Sequence, residues 1–119
     1  MTGARRWVLA TGLALAVAGP AGAHSLLLES APSAGATLAT TPPELMLRFN
    51  NRIEKSLSRI RLLDDAGAVR QLDVAAEGAA DRLTAAVPAL PPGRWRVEWQ
   101  VLSKDGHVVS GRFEFRLAP

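Results

Sequence analysis

From residue 24 onward, apolar and polar residues alternate along most of the chain. A period of two puts successive side chains on opposite faces of a strand, so the pattern predicts β-structure nearly throughout. The clearest stretch is Arg94 to Val101, where Trp95, Val97, Trp99 and Val101 alternate with Arg94, Arg96, Glu98 and Gln100. A last strand from about Val109 to Leu117 sets Phe113, Phe115 and Leu117 on one face. Earlier, Glu44 to Phe49 opposes Leu45, Leu47 and Phe49 to Met46 and Arg48, and Arg59 to Leu63 opposes Ile60 and Leu62 to two arginines. A short apolar strand over His24 to Ser30, with Leu26, Leu27 and Leu28, is expected at the start. Val69 to Val74 and Asp81 to Val87 complete the set.

The intervening segments carry turn chemistry. Pro32 and Gly35 break the chain after the first strand, and Pro42-Pro43 cannot join a central ladder because proline lacks the donor. Asn50 to Ser58 is polar and irregular, a loop with at most a helical turn. Asp64-Asp-Ala-Gly67 closes a hairpin, Ala75 to Ala80 is small and flexible, and Pro88 to Gly93 turns into the longest alternating strand. About seven short strands, with no helical heptad and no internal repeat, predict an all-β fold. The expected architecture is an immunoglobulin-like Greek-key β-sandwich or barrel. Trp95 and Trp99 share one face and are assigned to its core rather than to an exposed aromatic platform.

The first 23 residues change this picture, because they do not read as fold. Arg5 and Arg6 form a short basic start, Trp7 to Ala18 is apolar and uncharged, and Ala21-Gly22-Ala23 offers the small-x-small pattern of a cleavage site. Residues 1–23 are therefore expected to be a signal peptide, with an uncleaved anchor as the alternative; the apolar run is short of the ~20 residues a span needs. Cleavage leaves residues 24–119, or 119 − 23 = 96 residues, as one domain with one core. That domain is expected to be exported.

Charge narrows the partners. Of 14 Lys and Arg, two are Arg5 and Arg6, so the remainder carries 12 basic against 11 acidic residues, a formal net of +1. The two signs are interspersed without runs, so the footprint of a nucleic-acid-binding protein is missing. With no cysteine, thiolate sites are excluded, and Met46 is the only methionine after Met1, which excludes a methionine-rich Cu(I) site. Any metal here is held by nitrogen and oxygen.

Both histidines of the chain bear on such a site. Asp105-Gly106-His107 is first of all a hairpin signal, since Gly tolerates the positive φ of tight turns. On that reading His107 is a solvent-exposed bystander. His24 alters the balance, because cleavage after Ala23 would give it a free α-amine beside its imidazole. That amine has a pKa of about 8, so it yields its proton to a metal near neutral pH, and imidazole is the commonest protein metal ligand. Adding Asp105 and His107 makes three nitrogens and one oxygen, a set that suits Cu(II). An extended Asp-x-His segment would point both side chains the same way.

The chain also resembles the CopC family of periplasmic copper-resistance proteins over essentially its whole length after residue 23. The matching stretches are His24 behind the cleavage site, Glu29-Ser-Ala-Pro-Ser-Ala-Gly-Ala-Thr37, Pro43-Glu-Leu-Met-Leu-Arg-Phe49 and Ser58-Arg-Ile60. They continue with Asp64-Asp-Ala-Gly67, Gly93-Arg-Trp-Arg-Val-Glu-Trp99 and, most specifically, Ser103-Lys-Asp-Gly-His-Val-Val-Ser-Gly111. The resemblance implies a Greek-key domain that binds one Cu(II) through the N-terminal amine and His24, Asp105 and His107. It also implies a carrier role beside an inner-membrane copper transporter of the CopD type. Two departures stand out: the methionine-rich Cu(I) loop of some members is missing, and a carboxylate found near the copper in others is replaced here by Asn51. Glu54 lies nearby in sequence and is read as a solvated loop charge.

Three functions follow. The first is a monomeric copper carrier or buffer without turnover, which is not an enzyme. The second is a small copper-dependent oxidase of the polysaccharide monooxygenase type, which would use the same N-terminal histidine. The third is a metal-free adhesion sandwich.

Overall fold

The chain folds into two facing sheets in a computed structural model that describes Gly3 and residues 25–119. The expected signal peptide and His24 lie outside the described residues, apart from Gly3. Among the described residues eight strands follow in order: β1 (Leu27–Ala31), β2 (Thr37–Leu38), β3 (Glu44–Phe49), β4 (Arg59–Leu63), β5 (Val69–Leu72), β6 (Arg82–Ala86), β7 (Gly93–Leu102) and β8 (Val108–Leu117). A single 3-10 turn, Lys55–Leu57, interrupts the loop before β4. One sheet has the order β1-β3-β6 and the other β2-β8-β7-β4-β5, so the chain crosses repeatedly between sheets as a Greek-key sandwich does.

The period-two reading holds in β3, β4, β6, β7 and β8, but not in β1, where Leu28 is exposed, or in β5, where only Leu72 is buried. In β3, Leu45, Leu47 and Phe49 are buried, and in β7 Trp95, Val97, Trp99 and Val101 are. These meet Ile60, Leu62, Leu72, Leu83, Ala85, Phe115 and Leu117 in one core, each large apolar side chain contributing about 1.5–3 kcal/mol on burial. Trp95 belongs to that core with its polar edge satisfied, since Nε1 donates to the Pro91 carbonyl at 3.0 Å. The sequence pattern did not signal β2. Its two residues are too short for a period, and they pair parallel with β8 as an edge (Thr37 with Arg116, Leu38 with Leu117).

The long β7–β8 ladder sets the rest. It pairs antiparallel without interruption from Gly93 with Leu117 to Leu102 with Val108, and Trp99 faces Gly111 across it. The indole lies flat over that glycine: a Cβ on Gly111 would come within 2.4 Å of Trp99 Cζ2. Trp99 also meets Phe49 of the opposite sheet edge-on, with ring centroids 5.2 Å apart at 72°. Gly111 is thus the gap into which the inter-sheet tryptophan fits. At the far edge of the other sheet, Arg48 Nε donates to Glu29 Oε1 at 3.1 Å, and this bond holds the Glu29 carboxyl below its usual range.

Replacing Gly111 by alanine must displace the Trp99 ring or the backbone. Gly111→Ala is expected to lower stability by about 1–3 kcal/mol, the cost of overpacking a close-packed core, as read from the urea unfolding midpoint.

Candidate metal centre

The β7–β8 ladder ends in a turn built in two steps. Gly106 N donates to the Ser103 carbonyl at 2.9 Å, with Gly106 at φ +85°, and Ser103 N donates to the His107 carbonyl at 2.8 Å. This is a turn followed by one left-handed residue, a common three-residue hairpin. The Asp64–Ala68 hairpin between β4 and β5 repeats it: Gly67 N donates to Asp64 O at 3.0 Å, Asp64 N to Ala68 O at 3.2 Å, and Gly67 sits at φ +83°. The backbone alone therefore does not mark a functional site. The side chains do.

In the Asp64 hairpin the carboxylate closes on its own loop, accepting from Ala66 N and Ala68 N at 2.9 Å each. In the Ser103 hairpin the carboxylate stands two steps later, at Asp105, and engages a histidine. Asp105 Oδ1 accepts from the His107 backbone N–H at 3.1 Å, and Asp105 Oδ2 lies 2.9 Å from His107 Nδ1. A carboxylate only accepts, so Nδ1 is the donor of this pair, and in the neutral ring Nε2 is then the acceptor nitrogen. Fixing the tautomer of a metal-ligating histidine from behind is a recurrent arrangement. The His107 side chain is 66% exposed and that of Asp105 only 19%, so the ring is open to solvent while its carboxylate partner is held. The two side chains meet because Gly106 turns the chain, not because Asp105 to His107 is extended.

The first position of this hairpin, Ser103, points inward. Its hydroxyl accepts from Ser25 N at 2.9 Å and donates to Ser25 Oγ at 2.9 Å, and both serines are buried. A second clamp sits one residue on, where Leu26 N donates to Asn50 Oδ1 at 2.7 Å and Asn50 N donates to the Leu26 carbonyl at 3.0 Å. Ser25 and Leu26 precede β1, so the strand expected from His24 begins only at Leu27. Of the expected site residues, Asp105 and His107 are brought together, and His24 lies outside the described residues. Its chain neighbour Ser25 is bonded to the residue two places before Asp105. Asn51 is half-buried, and Glu54 is exposed with its backbone N–H tied to the Leu102 carbonyl at 3.0 Å.

Ser25, Ser103 and Asn50 escaped the reading of the sequence. Single hydroxyl and amide residues at strand ends look like ordinary turn formers, and only the pairing across 78 positions gives the two serines their role.

Comparison with known proteins agrees with this architecture. The family model described as the CopC domain matches residues 27–118. The Copper resistance protein C of Escherichia coli is 30% identical over 117 residues, covering 91% of this chain and 92% of that protein. Among solved structures, CopC from Methylosinus trichosporium OB3b superposes with a TM-score of 0.74 at 34% identity, over 81% of this chain and 95% of that one. PcoC, a methionine-rich copper resistance protein from Escherichia coli, shares the fold with a TM-score of 0.69 at 24% identity, over 81% of this chain and 100% of that one.

Ser103→Ala would leave the Ser25 N–H buried without its acceptor, a loss of about 1–3 kcal/mol. The expected outcome is faster hydrogen exchange at the Ser25 amide, with the amides of β3 and β6 protected as before.

Proposed function

The chain belongs to the CopC domain family, and on that premise we propose that it is a periplasmic Cu(II) carrier or buffer. One Cu(II) is held by the α-amine and imidazole of His24, by Nε2 of His107 and by Asp105, once processing after Ala23 has freed the amine. The observation that carries this reading is the buried Ser25–Ser103 pair. It ties the residue that follows His24 to the base of the hairpin bearing Asp105 and His107. A covalent neighbour fixed this way leaves His24 little distance to cover, so less ordering is needed when the ion binds.

The donor set supports Cu(II) as cargo. Cysteine is missing, and the one methionine after Met1, Met46, lies within β3 paired with Thr84. Imidazole, amine and carboxylate suit Cu(II), whereas soft thioethers and thiolates suit Cu(I). Asp105 has two tasks in this account. It holds Nδ1 of His107, and its carboxylate would also supply the oxygen ligand to the ion. The 66% exposure of the His107 side chain supports a site that passes its ion on, in keeping with delivery to an inner-membrane transporter of the CopD type.

A carrier needs no substrate platform, and the aromatic residues favour it over a polysaccharide oxidase. Among the described residues Phe49, Trp95, Trp99 and Phe115 are buried, and Phe113 packs against the same core. The four buried rings offer no face for a sugar to stack on, and Phe113 alone is partly exposed.

Titration of the processed protein with Cu(II), followed by electron paramagnetic resonance, tests this reading. One equivalent is expected to give a single tetragonal spectrum with nitrogen couplings. His107→Ala is expected to weaken binding by about a hundredfold and Asp105→Asn by about tenfold, the range seen when a ligand's support is removed. Unchanged affinity in His107→Ala would exclude this histidine from the site.

A further inference from the structure

The outer face of the five-stranded sheet carries charge that the copper site does not use. Three rows cross it: Arg59, Gln100 and Ser110, then Arg61, Glu98 and Arg112, then Leu63, Arg96 and Glu114, with Arg94 and Arg116 paired beyond them. This makes six arginines against two glutamates, 6 − 2 = +4, on a domain whose residues 24–119 sum to +1. The remainder of the domain is therefore net acidic, and the basic side is this sheet face.

Within the face, the first two rows enclose a groove of about 450 Å³. Arg59, Arg61 and Arg112 border it, and Gln100 and Ser110 line it between them. Arg61 Nη2 bonds Glu98 Oε1 at 3.2 Å. Arg94 and Arg96 likewise have carboxylate partners, Asp65 at 3.4 Å and Glu114 at 3.9 Å. Arg59 and Arg112 make no ion pair among the described residues, and they stand diagonally across the groove.

We propose that this groove binds a phosphate group, seated between Arg59 and Arg112 over Gln100 and Ser110. The net charge of the groove is 3 − 1 = +2 with Glu98 counted, which matches the −1.5 to −2 or so of a phosphomonoester at pH 7. Every basic group on the face is arginine, whose planar fork pairs with tetrahedral oxyanions through two parallel bonds. The Gln100 amide and the Ser110 hydroxyl add donors from the floor. A groove with converging donors suits one compact anion better than an acidic protein stretch, which would need carboxylates spread over all the rows. The site is separate from the copper hairpin: the pairs Val101–Val109 and Leu102–Val108 lie between them, and Ser110 is three residues, roughly 10 Å of strand, from His107.

The same chemistry is presented by free phosphate and by a phospholipid headgroup, and one experiment separates them. Metal-free protein is titrated with inorganic phosphate at constant ionic strength, held with sodium chloride, while backbone amide resonances are followed. Saturable shifts at Gln100, Ser110 and Gly111 are expected. The double variant Arg59→Gln, Arg112→Gln should weaken them at least about tenfold, the loss of two charge-assisted contacts. Arg82→Gln, on the other sheet, serves as the control and should leave them unchanged. In parallel, the protein is sedimented with vesicles of phosphatidylglycerol or phosphatidylcholine. Phosphate binding without sedimentation assigns a free phosphate compound. Sedimentation with phosphatidylglycerol that inorganic phosphate reverses assigns a headgroup. Shifts that chloride reproduces, a double variant that binds as well as the parent, or binding of polyglutamate in place of phosphate would each overturn the proposal.

Discussion

The register of β7 against β8 is the constraint on which the other features rest. Ten residue pairs run from Gly93–Leu117 to Leu102–Val108, and a slip of one place would turn Trp95, Val97, Trp99 and Val101 out to solvent. The fit of the Trp99 indole over Gly111 fixes that register, because at any other pairing the ring would meet a Cβ. The same tryptophan reaches Phe49 in the opposite sheet, so one side chain sets both strand pairing and sheet spacing. With the register set, the turn must fall at Ser103 to His107, and the arginines of β7 and β8 must fall in rows on the outer face, which the β4–β7 pairing extends to Arg59 and Arg61.

The copper reading depends on that turn for a different reason. The Asp64 hairpin has the same backbone geometry, yet its carboxylate is consumed by its own loop. Moving the carboxylate to the position before the left-handed glycine brings it to the next side chain, and that side chain is His107. Putting serine first frees the turn's base to hold Ser25 instead. Three differences within one turn type (serine first, aspartate third, histidine fifth) thus separate a loop that only closes a sheet from one that presents an imidazole with its tautomer set. The exposed ring and the half-sheltered carboxylate suit an ion that has to be released as well as held.

Much of this was legible in the sequence, because burial on one face of a strand imposes a period of two. β3, β4, β7 and β8 were readable in that way, and so were the Asp-Gly and Ala-Gly turns. β2 was not, since two residues carry no period and its pairing with β8 is set by the chain's path. Asp105 and His107 could be paired because only a glycine separates them. The Ser25–Ser103 and Leu26–Asn50 contacts could not, because they join positions far apart through residues with no distinctive pattern. The arginine rows were visible only as alternation, and their alignment into a groove needs the register of three strands.

The proposed copper site requires the N-terminal end to complete the donor set at the hairpin. The most direct measurement is the Cu(II) affinity of protein beginning at His24 beside protein that keeps Ala23 ahead of it. Converting the α-amine into an amide removes one nitrogen ligand and leaves every described residue as it was. The account predicts that the protein with Ala23 binds weaker by more than about tenfold, the loss expected when even the support of a ligand is removed. Equal affinity in the two proteins would contradict it.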